Sequence, residues 1–362
     1  MSFARRTFLQ LAGAAIAAQA LSDVAAAQAD RVDGLISKQM TNRRVPGLAI
    51  AVIQNDKMVK AQGYGYADLQ HQKPATSQTV FQLASVTKQF VASGVMLLVQ
   101  DGKISTGAPI ADYLNNLPRA WNRITVRHLL THTSGIEDYL SSTAAAGTDL
   151  RRDPELRTLV RTMRLQFQPG EKWQYSNSNY LLLGHLIERI SGKPYDRFLI
   201  ERVFRPIGMG ATRRRVVGDS AMAVGYMLQK DGRAPKEAPF LPPALWDNAD
   251  GGLVSTVEDM AKWDHALFAG TVVSKSSIEE MYTRTKLNDG MMQDYGYGMI
   301  LNVLGKHRIV GHGGSRPGVA TNFTRWLDDG ISVVVLCNAQ LGANDPYEIA
   351  RSIAKLYVAQ VP

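Results

Sequence analysis

Strand patterning lies towards the two ends of this chain and helix patterning lies between them, and few architectures satisfy both facts. Early in the chain, "VPGLAIAVIQNDKMVKAQGYGYADL" gives two β-rich runs separated by Asn55-Asp56, which predicts a hairpin. Late in the chain, "YGYGMILNVL", "HRIVGHGG", "VATNFTRWLDD" and "ISVVVLCN" are short β-type runs broken by turn residues, and "DPYEIARSIAKLYVAQV" follows as an amphipathic helix. In the middle, "SVTKQFVASGVMLLVQDGK", "NYLLLGHLIERISG", "YDRFLIERVF" and "TVEDMAKWDHALFAG" place apolar residues at helical spacing, several ending at Gly. The expected class is therefore α/β of the α+β kind: a sheet lobe over about 30–84 and 290–362, with a mainly helical lobe over about 85–289 inserted into it. A chain of 362 residues, 45% hydrophobic and 20% charged, has the core material for two lobes sharing a cleft.

Residues 1–29 stand apart from that pattern. A basic start, an alanine-rich apolar run from Leu9 to Ala20 and the small-residue pattern Ala27-Gln28-Ala29 predict an export signal cut after Ala29, with Ala27 as second choice. Arg5 and Arg6 before Thr7, Phe8 and Leu9 resemble a twin-arginine signal, although Ala4 and Gln10 depart from its usual residues. The apolar run is shorter than the roughly 20 residues that span a bilayer. No stable membrane anchor is expected after cleavage, with a retained signal anchor as the alternative, and the expected location is periplasmic or secreted in a bacterium. Cleavage removes Arg5, Arg6 and Asp23, so the formal charge of +9 becomes +8. An exported protein does not meet nucleic acid, so no nucleic-acid partner is expected, and the basic charge implies either attraction to anionic cell-envelope polymers or simply a soluble surface. Apart from Arg43-Arg44, Arg151-Arg152 and Arg213-Arg214-Arg215 the basic residues are scattered, which favours the latter. The single cysteine, Cys337, lies in an apolar run and is read as a buried hydrophobe.

Three short patterns carry chemistry. Ser85-Val86-Thr87-Lys88 opens a helical run, and its i, i+3 spacing sets both side chains on one face of the first turn, where Ser can pass its proton to Lys. A helix start also offers N–H groups to an oxyanion. Ser352 and Lys355 repeat the spacing deep in the last helix, where no N–H is free, and are read as a solvated face. Tyr175 and Asn177 sit two apart before a helix, so an extended backbone projects both to one side. Tyr113 and Asn115 share that spacing with no other chemistry nearby. His312-Gly313-Gly314-Ser315 ends a β-type run whose small residues let a ligand approach the strand edge. His128 and His132 are i, i+4 in "RHLLTH", but the glutamate of a zinc-binding His-Glu-x-x-His is absent, so they are read as structural; no metal or organic cofactor is expected. No Gly-x-Ser-x-Gly elbow occurs. Trp246 and Tyr139 are read as core or loop packing residues, with a place lining the cleft as the alternative.

Together, in this order, the three patterns resemble the serine β-lactamase and D-alanyl-D-alanine carboxypeptidase family, particularly its class C-like branch with the family VIII carboxylesterases. "LLTHTSGI", "QPGEKWQYSNSNYLLLGHLIERISGKPY", "GGLVSTVEDMAKW" and "GHGGSRPG" extend the resemblance over nearly all of the chain after the signal. It implies a β-lactamase/transpeptidase-like fold with an antiparallel sheet. It also implies a serine hydrolase in which Ser85 is the nucleophile, Lys88 its general base and Tyr175 the group passing a proton to the leaving group. Asn177 would orient Lys88 and hold a substrate carbonyl, His312 and Gly314 match the ends of the third motif, and the N–H groups of Ser85 and Ser315 would form the oxyanion hole. Lys88 then needs a depressed pKa, and a charged Lys88 would lower that of Tyr175; the two can share one proton.

The implied partners are a small ester, an amide or a D-amino acid peptide, with cell-wall fragments among them. A carboxypeptidase or β-lactamase, or a penicillin- or peptide-binding protein without turnover, are the alternatives. The third motif departs from the Lys-Thr-Gly of efficient class C enzymes. Gly313 offers no hydroxyl and His312 is mostly neutral at pH 7, so carboxylate recognition is expected to be poor unless Arg316 supplies it. Small uncharged esters are the expected substrates, with selectivity set by the segments 136–150 and 228–251.

Overall fold

A computed structural model describes residues 28, 30–141, 162–216, 218–229, 233–239, 248–342, 345–358 and 361. Apart from Gln28, the expected export signal lies outside these residues, as do Trp246, Arg151 and Arg152.

The hairpin at Asn55-Asp56 organises the first strands. Both residues adopt positive φ (49° and 62°), as a two-residue turn matching the twist of its strands requires. The turn joins β1 (Gly47–Gln54) to β2 (Lys57–Asp68), and a short β3 (Lys73–Pro74) pairs with β2. Two further dipeptide strands, β4 (Phe81–Gln82) and β5 (Arg213–Arg214), flank β6 (Leu253–Ser255) in a small separate sheet. The late strands are β7 (Ile300–Leu304), β8 (His307–Arg316), β9 (Val319–Trp326) and β10 (Ile331–Cys337). All pairings of the seven-stranded sheet are antiparallel, in the order β7-β8-β9-β10-β1-β2-β3, so the last strand of the chain lies against the first, with Leu48 opposite Cys337.

Alternation along β1 and β10 feeds two separate cores, which is why both strands read as unbroken apolar runs. Leu48, Ile50, Val52, Val333, Val335 and Cys337 pack with Val32 and Ile36 of helix α1 (residues 30–43) and with Ile349, Ala350 and Ile353 of the last helix, Asp345–Tyr357. Burial pushes the Cys337 thiol up to about 12, as suits an inert core residue. Ala49, Ala51, Val334 and Leu336 face the other way, into the core shared with α2 (Thr87–Gln100), α3 (Val126–Leu130), α4 (Asn177–Ser191), α5 (Tyr195–Leu199) and α6 (Val257–Ala269). Beyond these come α7 (Lys275–Met281) and the last helix, α8. Among the described residues, no helix is long and apolar enough to cross a membrane.

A buried ion pair pins α6 to the sheet. Arg325 of β9 donates to Asp264 of α6 at 2.8 Å, and Ser332 of β10 donates to the same carboxylate at 2.7 Å. Asp264 and Arg325 are both buried, so neither charge has water in place of its partner.

Candidate active site

Ser85 lies in a 3-10 turn, Ala84–Val86, that runs directly into α2. Two anchors hold the turn: Leu83 N–H donates to Leu253 O at 2.9 Å, and Leu253 N–H donates to Thr87 Oγ1 at 3.2 Å. Ala84, immediately before Ser85, has φ 47°, a left-handed conformation that costs a non-glycine residue about 1 kcal/mol or more. One turn on, Lys88 is fully buried, and its Nζ lies 3.1 Å from Ser85 Oγ, 2.8 Å from Asn177 Oδ1 and 2.6 Å from the Asp250 carbonyl.

That trio of partners fits a neutral amine. A charged Lys88 donates to all three; once it loses a proton, the amide oxygen and the main-chain carbonyl, which can only accept, take the two N–H groups of the –NH2, and the lone pair is left facing the Ser85 hydroxyl. Burial pushes the Lys88 pKa down to about 7; nearby Asp250 opposes this, Arg316 reinforces it and Asp138 opposes it. A substantial fraction of Lys88 is therefore uncharged near neutrality.

Tyr175 and Asn177 converge on the same amine across an extended Ser176 (φ −145°, ψ 122°). Asn177 begins α4; its Oδ1 accepts from Lys88 while its Nδ2 donates to Asp138 Oδ2 at 2.9 Å. Lys88 Nζ is 4.8 Å from the centre of the Tyr175 ring, which packs on His132 with centroids 4.3 Å apart. The Tyr175 hydroxyl is buried beside Ser85, in no hydrogen bond of normal geometry. Its pKa runs opposite to the sequence-based expectation. Burial raises it well above the usual phenol value, and this outweighs the pull of Ser85, so the group is held as a proton donor.

The third wall is β8. Alternation turns Val310, His312 and Gly314 towards the helical core, while Ile309, Gly311 and Gly313 fall on the opposite face. Gly314 lies against the Ser85 turn: a Cβ there would sit 2.4 Å from Leu83 O and from Thr321 Oγ1, and 3.1 Å from Ala84 Cβ. At Gly313 the nearest atom to such a Cβ is 3.8 Å away, so the residue has room for a side chain, but on the face turned from Ser85. This corrects the expectation that a hydroxyl at 313 would face the site. His312 is buried, and both ring nitrogens meet protein atoms, Tyr295 Oη at 3.0 Å and Gly313 O at 2.6 Å. Burial, with Lys88 adding to it, pushes its pKa down to about 3, so it brings no cation to the site. Ser315 is exposed next to Gly314. Arg316 is mostly buried and lies 3.4 Å from Asp250 Oδ2.

Several residues here carried no signal in the sequence. Asp250 serves Lys88 through its main-chain carbonyl, which any residue type could supply, and its carboxylate accepts from Tyr139 at 3.2 Å and faces Arg316. Tyr139, for which the sequence left packing and cleft-lining open, is buried and also lends its hydroxyl to this cluster. Tyr295 links His312 to His132, whose Nε2 is 3.2 Å from the same hydroxyl. His128 and His132 do not share a helical face, because α3 ends at Leu130 and His132 turns to φ 59°; His128 instead completes a capping box with Thr125. The second Ser-x-x-Lys lies apart, with Ser352 donating to Glu348 O within α8, on the far side of the sheet from Ser85. Tyr113 accepts from Ser105 N–H.

Comparison with known proteins agrees with this architecture. Residues 32–357 match the Beta-lactamase family. Penicillin-binding protein 4* of Bacillus subtilis is 32% identical over 298 residues, covering 76% of this chain and 64% of that protein. The chain spans about three fifths of the length of the curated relatives it matches. Among solved structures, the octameric penicillin-binding protein homologue from Pyrococcus abyssi superposes with a TM-score of 0.79 at 31% identity, covering 91% of this chain and 77% of that one. The D-amino acid amidase from Ochrobactrum anthropi SV3 complexed with L-phenylalanine amide gives 0.78 at 28% identity, covering 91% and 98%. The fold is β-lactamase/transpeptidase-like, and with its family match extending over residues 32–357 the chain belongs to the Beta-lactamase family of penicillin-binding proteins, D-aminopeptidases and related serine hydrolases.

Proposed function

We propose that this chain is an exported serine hydrolase that cleaves small esters or amides through an acyl-enzyme on Ser85. The observation that carries the reading is the Lys88 amine, with two obligate acceptors occupying its N–H groups and its third direction open to Ser85 Oγ. Lys88 takes the Ser85 proton as Oγ attacks the acyl carbon, and the carbonyl π electrons move onto oxygen. The N–H groups of Ser85 and Ser315 receive that oxyanion. As the tetrahedral intermediate collapses, Tyr175 gives its proton to the leaving oxygen or nitrogen and recovers one from the Lys88 ammonium. Water then attacks the acyl-enzyme by the reverse sequence. Asn177 orients Lys88 throughout.

Uncharged esters are the favoured substrates, because His312 is neutral and the Arg316 guanidinium faces a buried carboxylate. Amides of D-amino acids are the second class, supported by the likeness to a D-amino acid amidase. Export rests on the sequence of residues 1–29, and a block of export in the Arg5→Lys, Arg6→Lys double variant would assign it to the twin-arginine route. The test of the chemistry is the intact mass of the protein during reaction with a short-chain nitrophenyl ester. A transient acyl adduct on Ser85 with release of nitrophenol is expected, absent in Ser85→Ala. Turnover that survives Ser85→Ala would overturn the assignment, and neither adduct nor turnover in the wild type would favour a binding protein.

A further inference from the structure

We propose that Tyr295 is a positioning residue of this site: its hydroxyl ties the imidazole of His132, beneath Tyr175, to the imidazole of His312 in β8, and so holds the two walls flanking Ser85 in register. The kinetic consequence rests on the acyl-enzyme reading above; the hydrogen-bond chain does not.

The direction of each hydrogen bond follows from its partner. His132 Nδ1 lies 3.2 Å from the Ser176 N–H and 3.2 Å from Asn179 Nδ2. A backbone N–H can only donate, so Nδ1 keeps its lone pair and the one proton of a neutral imidazole sits on Nε2, which faces Tyr295 Oη at 3.2 Å. At His312 the logic inverts. Nδ1 is 2.6 Å from the Gly313 carbonyl, which can only accept, so the proton is on Nδ1, and Nε2 takes the Tyr295 proton across 3.0 Å. The chain therefore runs one way, from His132 through Tyr295 and His312 to the Gly313 carbonyl, with the two histidines as opposite tautomers.

The surroundings keep each ring at one proton. Both histidines are buried, and Lys88 disfavours a second charge on either. His132 is faced by the rings of Trp173, Tyr175, Tyr180 and Tyr295, and His312 by Tyr175 and Tyr295. Tyr180 gives its own proton to Leu130 O at 2.9 Å and offers its oxygen to Tyr295 as a second acceptor, whereas the bond to His312 Nε2 has normal geometry at 3.0 Å.

What the chain holds is the position of reacting groups. His132 fixes the N–H of Ser176, the residue between Tyr175 and Asn177, and stacks on the Tyr175 ring. His312 fixes the carbonyl next to Gly314, which lies against the Ser85 turn. Since the Tyr295 hydroxyl is spent on the two histidines and not offered to a substrate, its loss should lower kcat and leave KM for a neutral ester nearly unchanged.

Two measurements test this. Nitrogen-15 NMR of histidine-labelled wild-type protein should show His132 as the Nε2–H tautomer and His312 as the Nδ1–H tautomer, neither gaining a second proton between about pH 5 and 8. The same tautomer on both, or a charged His312 in that range, would overturn the chain, and no variant has to fold for this result. In a kinetic cycle with a nitrophenyl ester, Tyr295→Phe and His132→Asn should each lower kcat by up to about tenfold, the worth of one neutral hydrogen bond, with KM within about twofold. The double variant should lose no more than the worse single variant. Independent losses multiplying to about a hundredfold, or a loss carried by KM, would overturn the positioning role. If Ser85 is not acylated there is no turnover to compare, whereas the tautomers are read regardless, so the two ideas fail separately.

Discussion

Asp250 binds Lys88 with its main chain and faces Arg316 with its side chain: the carbonyl is 2.6 Å from Lys88 Nζ, and Oδ2 is 3.4 Å from the guanidinium. One residue thereby sets both the basicity of the amine and the charge available to a substrate. The carboxylate raises the pKa of Lys88 and Arg316 lowers it. Asp250→Asn keeps the carbonyl and removes the opposing charge, so Lys88 should lose its proton more readily.

The first expectation is therefore kinetic. In the wild type, kcat/KM for an uncharged ester should rise with pH through a limb near 7 as Lys88 is deprotonated. In Asp250→Asn the limb should move to lower pH. The same variant removes the carboxylate that Arg316 faces, so kcat/KM for a carboxylate-bearing cephalosporin should improve relative to the ester, by about tenfold or more for one charge-assisted hydrogen bond. An unmoved limb would mean that Lys88 does not control the profile.

Stability should report the same buried amine with a defined sign. The unfolded lysine titrates near 10.5 and the folded one at about 7. Between those values the unfolded chain binds more protons, so this group's contribution to stability rises with pH across the window. Below 7 its full penalty is present, on the order of 5 kcal/mol for such a shift. Lys88→Met removes the penalty but leaves Asn177 Oδ1 and the Asp250 carbonyl without a donor, each costing about 1–3 kcal/mol. Denaturant melts should accordingly favour Lys88→Met most at pH 6, with its advantage shrinking towards pH 10. A constant difference would place the lysine in water.

The pair between α6 and the sheet is a stability element outside the site. Asp264→Ala leaves Arg325 buried with only Asp56, at 3.2 Å, to face it, so the loss should fall below the roughly 3–5 kcal/mol of a fully broken buried pair, at about 2–3 kcal/mol, and the Asp56→Ala, Asp264→Ala double variant should lose more. The midpoint of urea unfolding should fall accordingly. A loss under about 1 kcal/mol in the double variant, where neither carboxylate remains, would mean that water reaches Arg325.

Residue patterns made the strands, the Asn55-Asp56 turn and the Ser85/Lys88 pair legible, because each is written in local spacing. The antiparallel arrangement and β-lactamase-like fold came from the family resemblance, and the pairing of β1 with β10 gives it physical form. What spacing could not carry is who meets whom across the cleft. Asp250 contributes a main-chain oxygen, which leaves no mark in residue type, and Tyr295 is one aromatic in "YGYG" until the fold sets it between two histidines. The phenol of Tyr175 departs from the motif-based expectation for the same reason: a lysine next to it is visible in a motif, whereas the depth of burial that raises its pKa is not. An i, i+4 count between His128 and His132 likewise says nothing of a shared face, because α3 stops at Leu130.

Adjacent glycines in the third motif give the sharpest contrast between position and composition. Gly314 and Gly313 are indistinguishable as residue types, yet β8 turns them to opposite faces. A methyl group at 314 would meet Leu83 O and Thr321 Oγ1 at 2.4 Å, and both belong to the contact that seats the Ser85 turn, where Thr321 donates to Leu83 O at 2.9 Å. The strand must then retreat from Ser85, and a misplacement of about 1 Å at a reacting group costs on the order of a hundredfold in rate. Gly314→Ala should lose activity on that scale. At 313 the nearest atom is 3.8 Å away, so Gly313→Ala should stay within about threefold of wild type in rate, and should raise stability by about 0.4–1 kcal/mol through a stiffer unfolded chain. Gly313→Thr should likewise leave the preference for uncharged esters over cephalosporins unchanged, because its hydroxyl would lie with Ile309 and Gly311, on the face away from Lys88. Rates for both substrates in the three variants decide the matter. Equal losses at 313 and 314, or a cephalosporin gain in Gly313→Thr, would show that the strand presents position 313 to the substrate after all.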